Sequence, residues 1–193
     1  MGKHEAPVGA TDEWYTPRRI FDALGVRFDM DVAHPGLDKW PAWAAGRVLT
    51  ADALDQDWSG FVWMNPPFGG RNAVAPWLDK FFAHGNGVAL TCDRTSAAWW
   101  IGAAARADAH LVIGKPNPRK GDPNKVCFHR PDGSLGKGPG TGTTLFAAGA
   151  RGVRALVNAQ SAGLGLVFQR ITEPADAKGT LGHTHVSKRG PHD

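Results

Sequence analysis

The feature that most constrains the fold is an alternation of strand-like and helix-like apolar patterns between residues 61 and 91. Residues 61–64 form a continuous apolar run, which is typical of a strand covered on both faces. Apolar residues then recur at helical spacing at Val74, Trp77, Leu78 and Phe81, and residues 88–91 form a second strand-like run. This order of strand, loop, helix and strand predicts a parallel sheet with helices packed on its faces.

The same alternation precedes this unit. A short helix is expected after Thr16, with Pro17 at its first position and Gly25 at its end. Residues 28–32 then alternate between apolar and polar side chains, the period-two pattern of a half-buried strand. The chain up to residue 91 is therefore expected to be α/β.

The alternation also continues beyond residue 91. Thr95 or Ser96 can cap a helix running towards Ala107. Further strands are predicted over residues 111–113, 143–148 and 164–168, and a helix over residues 153–159. The predicted fold class is α/β, with a mostly parallel mixed sheet flanked by helices.

A chain of 193 residues suits one compact domain. We expect this domain to span residues 11–170, between a flexible N-terminus at residues 1–10 and a flexible basic tail at residues 171–193. Residues 114–142 are rich in glycine, proline and basic side chains and lack periodicity, which indicates a long loop that is either functional or disordered.

The net charge of +4 and pI near 9.3 favour polyanionic partners, although a solvated basic face is the alternative interpretation. Cys92 and Cys127 are too few for a disulfide framework and lack zinc-site spacing. No metal is required; His183 and His185 belong either to a disordered basic tail or to a metal site there. The absence of a signal-like segment or a long apolar run leads us to expect a cytoplasmic protein.

The sequence Asn65-Pro66-Pro67-Phe68 follows a predicted buried strand, where parallel sheets place their ligands. A planar amino nitrogen such as that of adenine is a poor nucleophile because its lone pair is delocalised into the ring. The Asn65 side-chain oxygen and the Pro66 carbonyl can accept its two hydrogens, and Pro67 stiffens the turn. Phe68 can stack on a base flipped out of a duplex. The motif therefore indicates an amino-methylation site, with an ordinary turn as the alternative.

Three blocks in this order resemble the phage DNA N-6-adenine methyltransferases of the Dam type. They are residues 12–17, residues 28–33 and residues 62–69, and the likeness extends over residues 11–170. The resemblance implies a Rossmann-like methyltransferase fold that binds S-adenosyl-L-methionine and double-stranded DNA, and an adenine-specific site. Two features differ from many relatives: the loop after Asp31 has few glycines, and Phe68 stands where tyrosine is commoner.

The resemblance also implies which residues hold the cofactor. The block of Trp14, Tyr15, Thr16 and Pro17 would line its methionine end. Asp31 would lie near the same end, followed by Ala33, and Asp52 would accept from the cofactor's adenine amine. Both carboxylates are expected to be ionised with ordinary pKa values. Solvated or turn-capping roles are the alternatives for these carboxylates, and for Asp29 a solvated strand face or a salt bridge to Arg27 is expected.

Five basic residues are candidates for contact with DNA phosphates. Arg71 and Arg94 each follow a predicted strand end, and the others lie in the long loop: Lys115, Arg119 and Lys120. Trp63, Trp77, Trp99 and Trp100 are instead expected in the core.

Two rival functions stay open at this stage. Similar motifs serve enzymes that methylate RNA bases or glutamine side chains in proteins, because all present a planar nitrogen to the same acceptors. A non-catalytic DNA-binding relative is the second alternative, suggested by the glycine-poor loop after Asp31.

Overall fold

A computed structural model describes residues 14–68, 73–115, 125–136 and 141–170. The order of elements in these ranges is α1 (Arg18–Leu24), β1 (Phe28–Asp31), β2 (Ala45–Val48), β3 (Val62–Met64), α2 (Ala75–His84), β4 (Gly87–Cys92), α3 (Ala98–Arg106), β5 (Ala109–Ile113), β6 (Thr143–Ala148), α4 (Ala150–Ser161) and β7 (Gly165–Gln169). The predicted alternation of strands and helices is therefore confirmed.

The seven strands form one mixed sheet in the order β2-β1-β3-β4-β6-β5-β7. The pairs among β1 to β4 are parallel, whereas β6 runs antiparallel to both β4 and β5, and β7 runs antiparallel to β5. Strands β1 to β5 thus end at one edge of the sheet. Because Cys92 pairs with Thr143, β6 begins at that same edge. Loops from both halves of the chain can therefore meet there.

Helices cover both faces of the sheet. On one face α1 and α4 bury an aromatic cluster in which Phe28 stacks on Phe61 with ring centres 4.8 Å apart. On the other face α2 and α3 bury Leu78 and Trp100 against β3, β4 and β6. The strands between them are apolar on both sides, which explains the continuous apolar runs in the sequence.

One strand was missed and two helix starts were predicted at the wrong residue. Strand β2 was not predicted, because its residues are small or polar and half or fully exposed, so they carry no apolar pattern. Pro17 caps α1 instead of occupying its first position, and Ala97 caps α3 in place of Thr95 or Ser96. Asp29 is exposed on its strand, as expected, but its ion-pair partner is Arg151 (3.4 Å) at the start of α4 and not Arg27, whose carbonyl accepts from the same guanidinium.

The tryptophan assignments are confirmed in part. Trp63 and Trp100 are buried in the two clusters, while Trp77 and Trp99 are half-buried and pack against the α2–α3 side. Both cysteines are free thiols, each half-buried. None of the helices in the described ranges is long and apolar enough to cross a membrane. The predictions on residues 1–10 and 171–193 lie outside the described residues.

A pair of glycine substitutions tests the packing of α4 on the sheet. A Cβ at Gly152 would lie 2.6 Å from the Gly87 carbonyl oxygen, whereas a Cβ at Gly102 of α3 would meet nothing within 4 Å. Gly152→Ala should lower the free energy of unfolding by about 1–3 kcal/mol through overpacking. The matched Gly102→Ala should raise it by about 0.5–1 kcal/mol, because alanine favours a helix. Urea denaturation measures both, and equal effects would contradict the packing described.

Candidate functional site

A cavity of about 480 Å³ lies at the edge where β1 to β5 end. Its walls are the segments that follow β1, β2 and β3, together with residues 14–16 that precede α1. This volume falls within the range of about 300–1,000 Å³ that is usual for small-molecule sites. The edge predicted from the topology therefore does carry a binding cavity.

Most of the predicted site residues line this cavity. From the catalytic set, Asn65, Pro66, Pro67 and Phe68 all line it. From the cofactor set, the wall includes Trp14, Tyr15, Thr16, Asp31, Ala33 and Asp52. Pro17 is buried at the start of α1 and is not part of the wall. Predicted site residues up to about 50 positions apart in the sequence thus line the same cavity.

The orientation of the Asn65 amide is fixed by two hydrogen bonds. Its Nδ2 donates to the Trp14 carbonyl at 2.9 Å and to Thr16 Oγ1 at 3.1 Å. A carbonyl can only accept, so the amide nitrogen must face Trp14 and the oxygen must face the other way. The Asn65 Oδ1 is buried and accepts no hydrogen bond from the described residues. A buried acceptor left unpaired costs about 1–3 kcal/mol, which is what a site reserved for a donor would show.

A hairpin at residues 125–136, which we call the strap, holds the segment that orients Asn65. Tyr15 and His129 exchange both backbone hydrogen bonds at 3.0 Å, and His129 pairs in turn with Leu135. Val126 and Phe128 of the strap are buried in the core, so it is anchored to the sheet. The strap therefore fixes the backbone that carries both partners of the Asn65 amide.

Asp31 is the most perturbed carboxyl group in the described structure. It ends β1 inside the cavity wall, where it is only 8% exposed and accepts one hydrogen bond from the Ala33 backbone N–H at 3.1 Å. Burial raises its pKa to about 7, and the Ala33 contact offsets only part of this. The expectation of an ordinary pKa at Asp31 was therefore wrong, since the sequence could not show that packing excludes this side chain from water.

Asp52 lies on a turn that side chains hold in place. It is the one non-glycine residue of the described ranges with positive φ, at 48°. Lys80 Nζ donates to the Leu54 carbonyl at 2.7 Å and Trp58 Nε1 donates to the Ala53 carbonyl at 2.8 Å. Backbone strain of this kind persists only where the surroundings over-determine it. The contacts around the turn thus present Asp52 to the cavity in one conformation.

Several wall residues were missed from the sequence. Trp40 packs on Tyr15 and on His129, with ring centres 5.4 and 4.8 Å away, so it joins the cavity to the strap. Its Nε1 donates to the Thr16 carbonyl at 3.2 Å. The other missed side chains include His34, Lys39, Trp43, Asp55 and Trp77. The only signal for the aromatic wall was the density of tryptophan between residues 40 and 43, in a stretch that has no periodicity.

The basic residues predicted to contact DNA phosphates are not found in the described part of the cavity wall. Arg94, directly after β4, and Lys115, after β5, are exposed and do not line the cavity. Arg71, Arg119 and Lys120 lie outside the described residues. The described ranges hold no group of three or more histidine, cysteine, aspartate or glutamate residues that could bind a metal ion. The two tail histidines considered for a metal are outside these ranges.

A family model described as DNA N-6-adenine-methyltransferase (Dam) matches residues 3–119, more than half of the chain. The chain belongs to this family. It is an adenine-specific DNA methyltransferase, and its mixed sheet with flanking helices is consistent with the Rossmann-like fold of Dam enzymes. Neither the curated proteins nor the solved structures contain a match to the chain. The matched range includes all three sequence blocks and ends before the strap of this Dam enzyme.

Thr16 offers a test of how the Asn65 amide is held. Thr16→Val keeps the shape of the side chain but removes the hydroxyl that accepts from Asn65 Nδ2. We expect turnover to fall about fivefold, because one lost hydrogen bond of about 1 kcal/mol frees the amide to rotate. Thr16→Ser keeps the hydroxyl and should retain most of the turnover. Equal rates in the two variants, measured with the same DNA, would rule out this role of the hydroxyl.

The pKa of Asp31 predicts how stability depends on pH. A folded pKa above the unfolded value means that this carboxyl contributes its full stability at low pH and loses it as the pH rises through about 7. Asp31→Asn should therefore be more stable than the parent above pH 7, by on the order of 4 kcal/mol, with the difference vanishing towards pH 4. Urea denaturation across this range provides the measurement. Asp22→Asn on exposed α1 is the control and should show no such trend.

Proposed function

We propose that this Dam enzyme transfers the methyl group of S-adenosylmethionine to the N6 amino group of adenine in DNA at the Asn65-Pro66-Pro67-Phe68 motif. The observation that carries the proposal is the buried, unpaired Oδ1 of Asn65, whose amide is held by Trp14 and Thr16. Membership of the Dam family supports DNA as the substrate in place of RNA or a protein glutamine.

The acceptors work by drawing on the two hydrogens of the adenine amine. The Asn65 Oδ1 accepts one and the Pro66 carbonyl accepts the other, so the nitrogen moves towards tetrahedral geometry and its lone pair becomes available. Asn65 remains neutral throughout, and the proton on the product nitrogen leaves to solvent. Catalysis of this kind rests on positioning and on preorganised dipoles, and it requires no base of unusual pKa.

The residues around the cavity fit S-adenosylmethionine. When bound, it supplies an electrophilic methyl group on a sulfonium that departs as a neutral thioether. Asp31 would hold its amino-acid end and Asp52 its adenine amine, while Trp14, Tyr15, Thr16 and Ala33 form the adjoining wall. The dry position of Asp31 suits an ammonium partner, because a nearby cation returns a buried carboxyl to its charged form. Pro17 would act only by starting α1 behind this wall.

DNA would approach the open side of the same edge. Phe68 is half-buried in the cavity wall, where its ring can stack on an extruded base. Arg94 and Lys115 are exposed beyond β4 and β5 and are proposed to contact phosphates. Arg71, Arg119 and Lys120 are proposed for the same role from their positions in the sequence.

Replacing Asn65 with alanine tests the catalytic assignment. Asn65→Ala should lower turnover on DNA by about a hundredfold or more, the scale seen when one preorganised polar contact to a transition state is removed. Binding of S-adenosylmethionine, measured by calorimetry, should change little. Asn158→Ala is the matched control, because it also removes an amide that donates to a backbone carbonyl (Leu24, 3.1 Å) far from the cavity. That control should keep parental turnover.

The substrate class is tested with a labelled methyl group. DNA, RNA and protein are offered separately to the parent enzyme, and methylated adenine is then identified in the product. Label in DNA as N6-methyladenine supports the proposal. Label in RNA or protein alone would overturn the substrate, and cofactor binding without transfer to any of the three would indicate a non-catalytic relative. Undiminished turnover in Asn65→Ala would overturn the site.

A further inference from the structure

The loop that follows β1 carries a buried histidine with no assigned role. His34 is 4% exposed, lies three residues after Asp31 and lines the same cavity. Its Nδ1 accepts a hydrogen bond from the Gly36 backbone N–H at 3.1 Å. Because Nδ1 accepts, a neutral ring must carry its proton on Nε2. The loop geometry therefore fixes the tautomer and makes Nε2 a donor.

Among the described residues this donor has no partner at hydrogen-bonding geometry. The Nε2 atom is buried and makes no hydrogen bond, and the Pro41 carbonyl acts on the ring only from outside that geometry. Burial lowers the pKa of His34, and the Pro41 backbone only partly offsets the effect, so the ring is neutral around pH 7. A buried donor of fixed direction that is left unpaired is costly in free energy. A ligand that accepts a hydrogen bond at this point would remove that cost.

The surroundings of His34 indicate what such a ligand must be. The buried acid of the same wall, Asp31, offers an acceptor, and His34 offers a donor on the same loop. An acceptor and a donor that line the same cavity three residues apart in the chain match the ammonium and carboxylate of an amino-acid zwitterion. Lys39, the other donor-bearing cation of the wall, has an exposed side chain that solvent reaches, unlike the buried His34.

We propose that His34 Nε2 donates a hydrogen bond to the carboxylate at the amino-acid end of the methyl donor, while Asp31 accepts from its ammonium. The inference rests on the proposed function, because it assumes that the cavity binds S-adenosylmethionine. It adds a specificity contact for the carboxylate within that cavity. The glycine-poor loop after Asp31 would then recognise this end of the donor with a side chain.

Two substitutions separate the two nitrogens of the ring. His34→Asn keeps an acceptor where Nδ1 meets the Gly36 N–H but removes the Nε2 donor. His34→Gln keeps a donor at the position of Nε2 and removes the Nδ1 acceptor. The ligands are S-adenosylmethionine and its decarboxylated form, which has the same sulfonium, nucleoside and amine but no carboxylate. Dissociation constants are measured by calorimetry at pH 8, where Asp31 is ionised.

His34→Asn should weaken binding of S-adenosylmethionine by about tenfold or more, the effect of one hydrogen bond to a charged group. Its affinity for the decarboxylated ligand should stay within about twofold of the parent, because no contact is lost. His34→Gln should bind S-adenosylmethionine nearly as tightly as the parent. Thermal denaturation of both variants establishes that they are folded.

The outcomes distinguish this inference from the proposed function. If His34→Asn weakens both ligands equally, His34 only supports the loop and the carboxylate contact is overturned. If His34→Asn does not fold, His34→Gln carries the test, and loss of its preference for the carboxylate-bearing ligand would overturn the contact. If the parent binds neither ligand, the cofactor assignment fails. If the parent binds both and only the carboxylate-bearing one depends on Nε2, the inference stands.

Discussion

The site depends on one amide. Asn65 donates both hydrogens of its Nδ2 to the segment at residues 14–16, and this is what leaves its oxygen buried and unpaired at the cavity. The buried strand β3 brings Asn65 to the carboxyl edge of the sheet, and the prolines after it prevent the strand from continuing. Neither the strand nor the motif would set the direction of the oxygen. That direction comes from a part of the chain that the sequence places about 50 residues earlier.

The two aspartates of the cavity are held by different physical means. Asp31 is perturbed by burial, which makes its charge depend on what binds beside it. Asp52 is fixed by its backbone. The carbonyls of its turn accept hydrogen bonds from the side chains of Lys80, Gln56 and Trp58. A buried carboxyl responds to the charge of a ligand, whereas a rigidly presented one responds to its shape. The cavity wall thus carries one carboxyl whose charge depends on its surroundings and one whose position is set by the backbone.

Much of the fold could be predicted from the sequence, because buried strands and amphipathic helices have distinct apolar periods. The patterns at residues 61–64 and 143–148 predict strands whose bounds agree with β3 and β6 to within one residue. Strand β2 could not be found, since its four residues, Ala45 to Val48, contain one sizeable apolar side chain and so show no apolar period. The antiparallel placement of β6 was also hidden, because local patterns do not record strand direction.

The site could be predicted less completely. The Asn-Pro-Pro-Phe motif located one wall, because its chemistry is local in the sequence. The raised pKa of Asp31, the free Nε2 of His34 and the aromatic contacts of Trp40 arise only when distant segments pack together. In the sequence, the scarcity of glycine in the loop after Asp31 counted against its assignment to cofactor binding. In the structure it supplies a histidine to the cavity wall.

The pairing of Tyr15 with His129 has a consequence for the order of assembly. Its two partners lie about 110 residues apart in the sequence, so a growing chain possesses the motif at residues 65–68 long before the strap is synthesised. Contacts between such distant positions form late, since the intervening chain must first be ordered. Strands β1, β3 and β4 can therefore be ordered before the segment at residues 14–16 is held in its final position. The strap, which is synthesised after the motif, completes the hydrogen-bonded support behind Asn65.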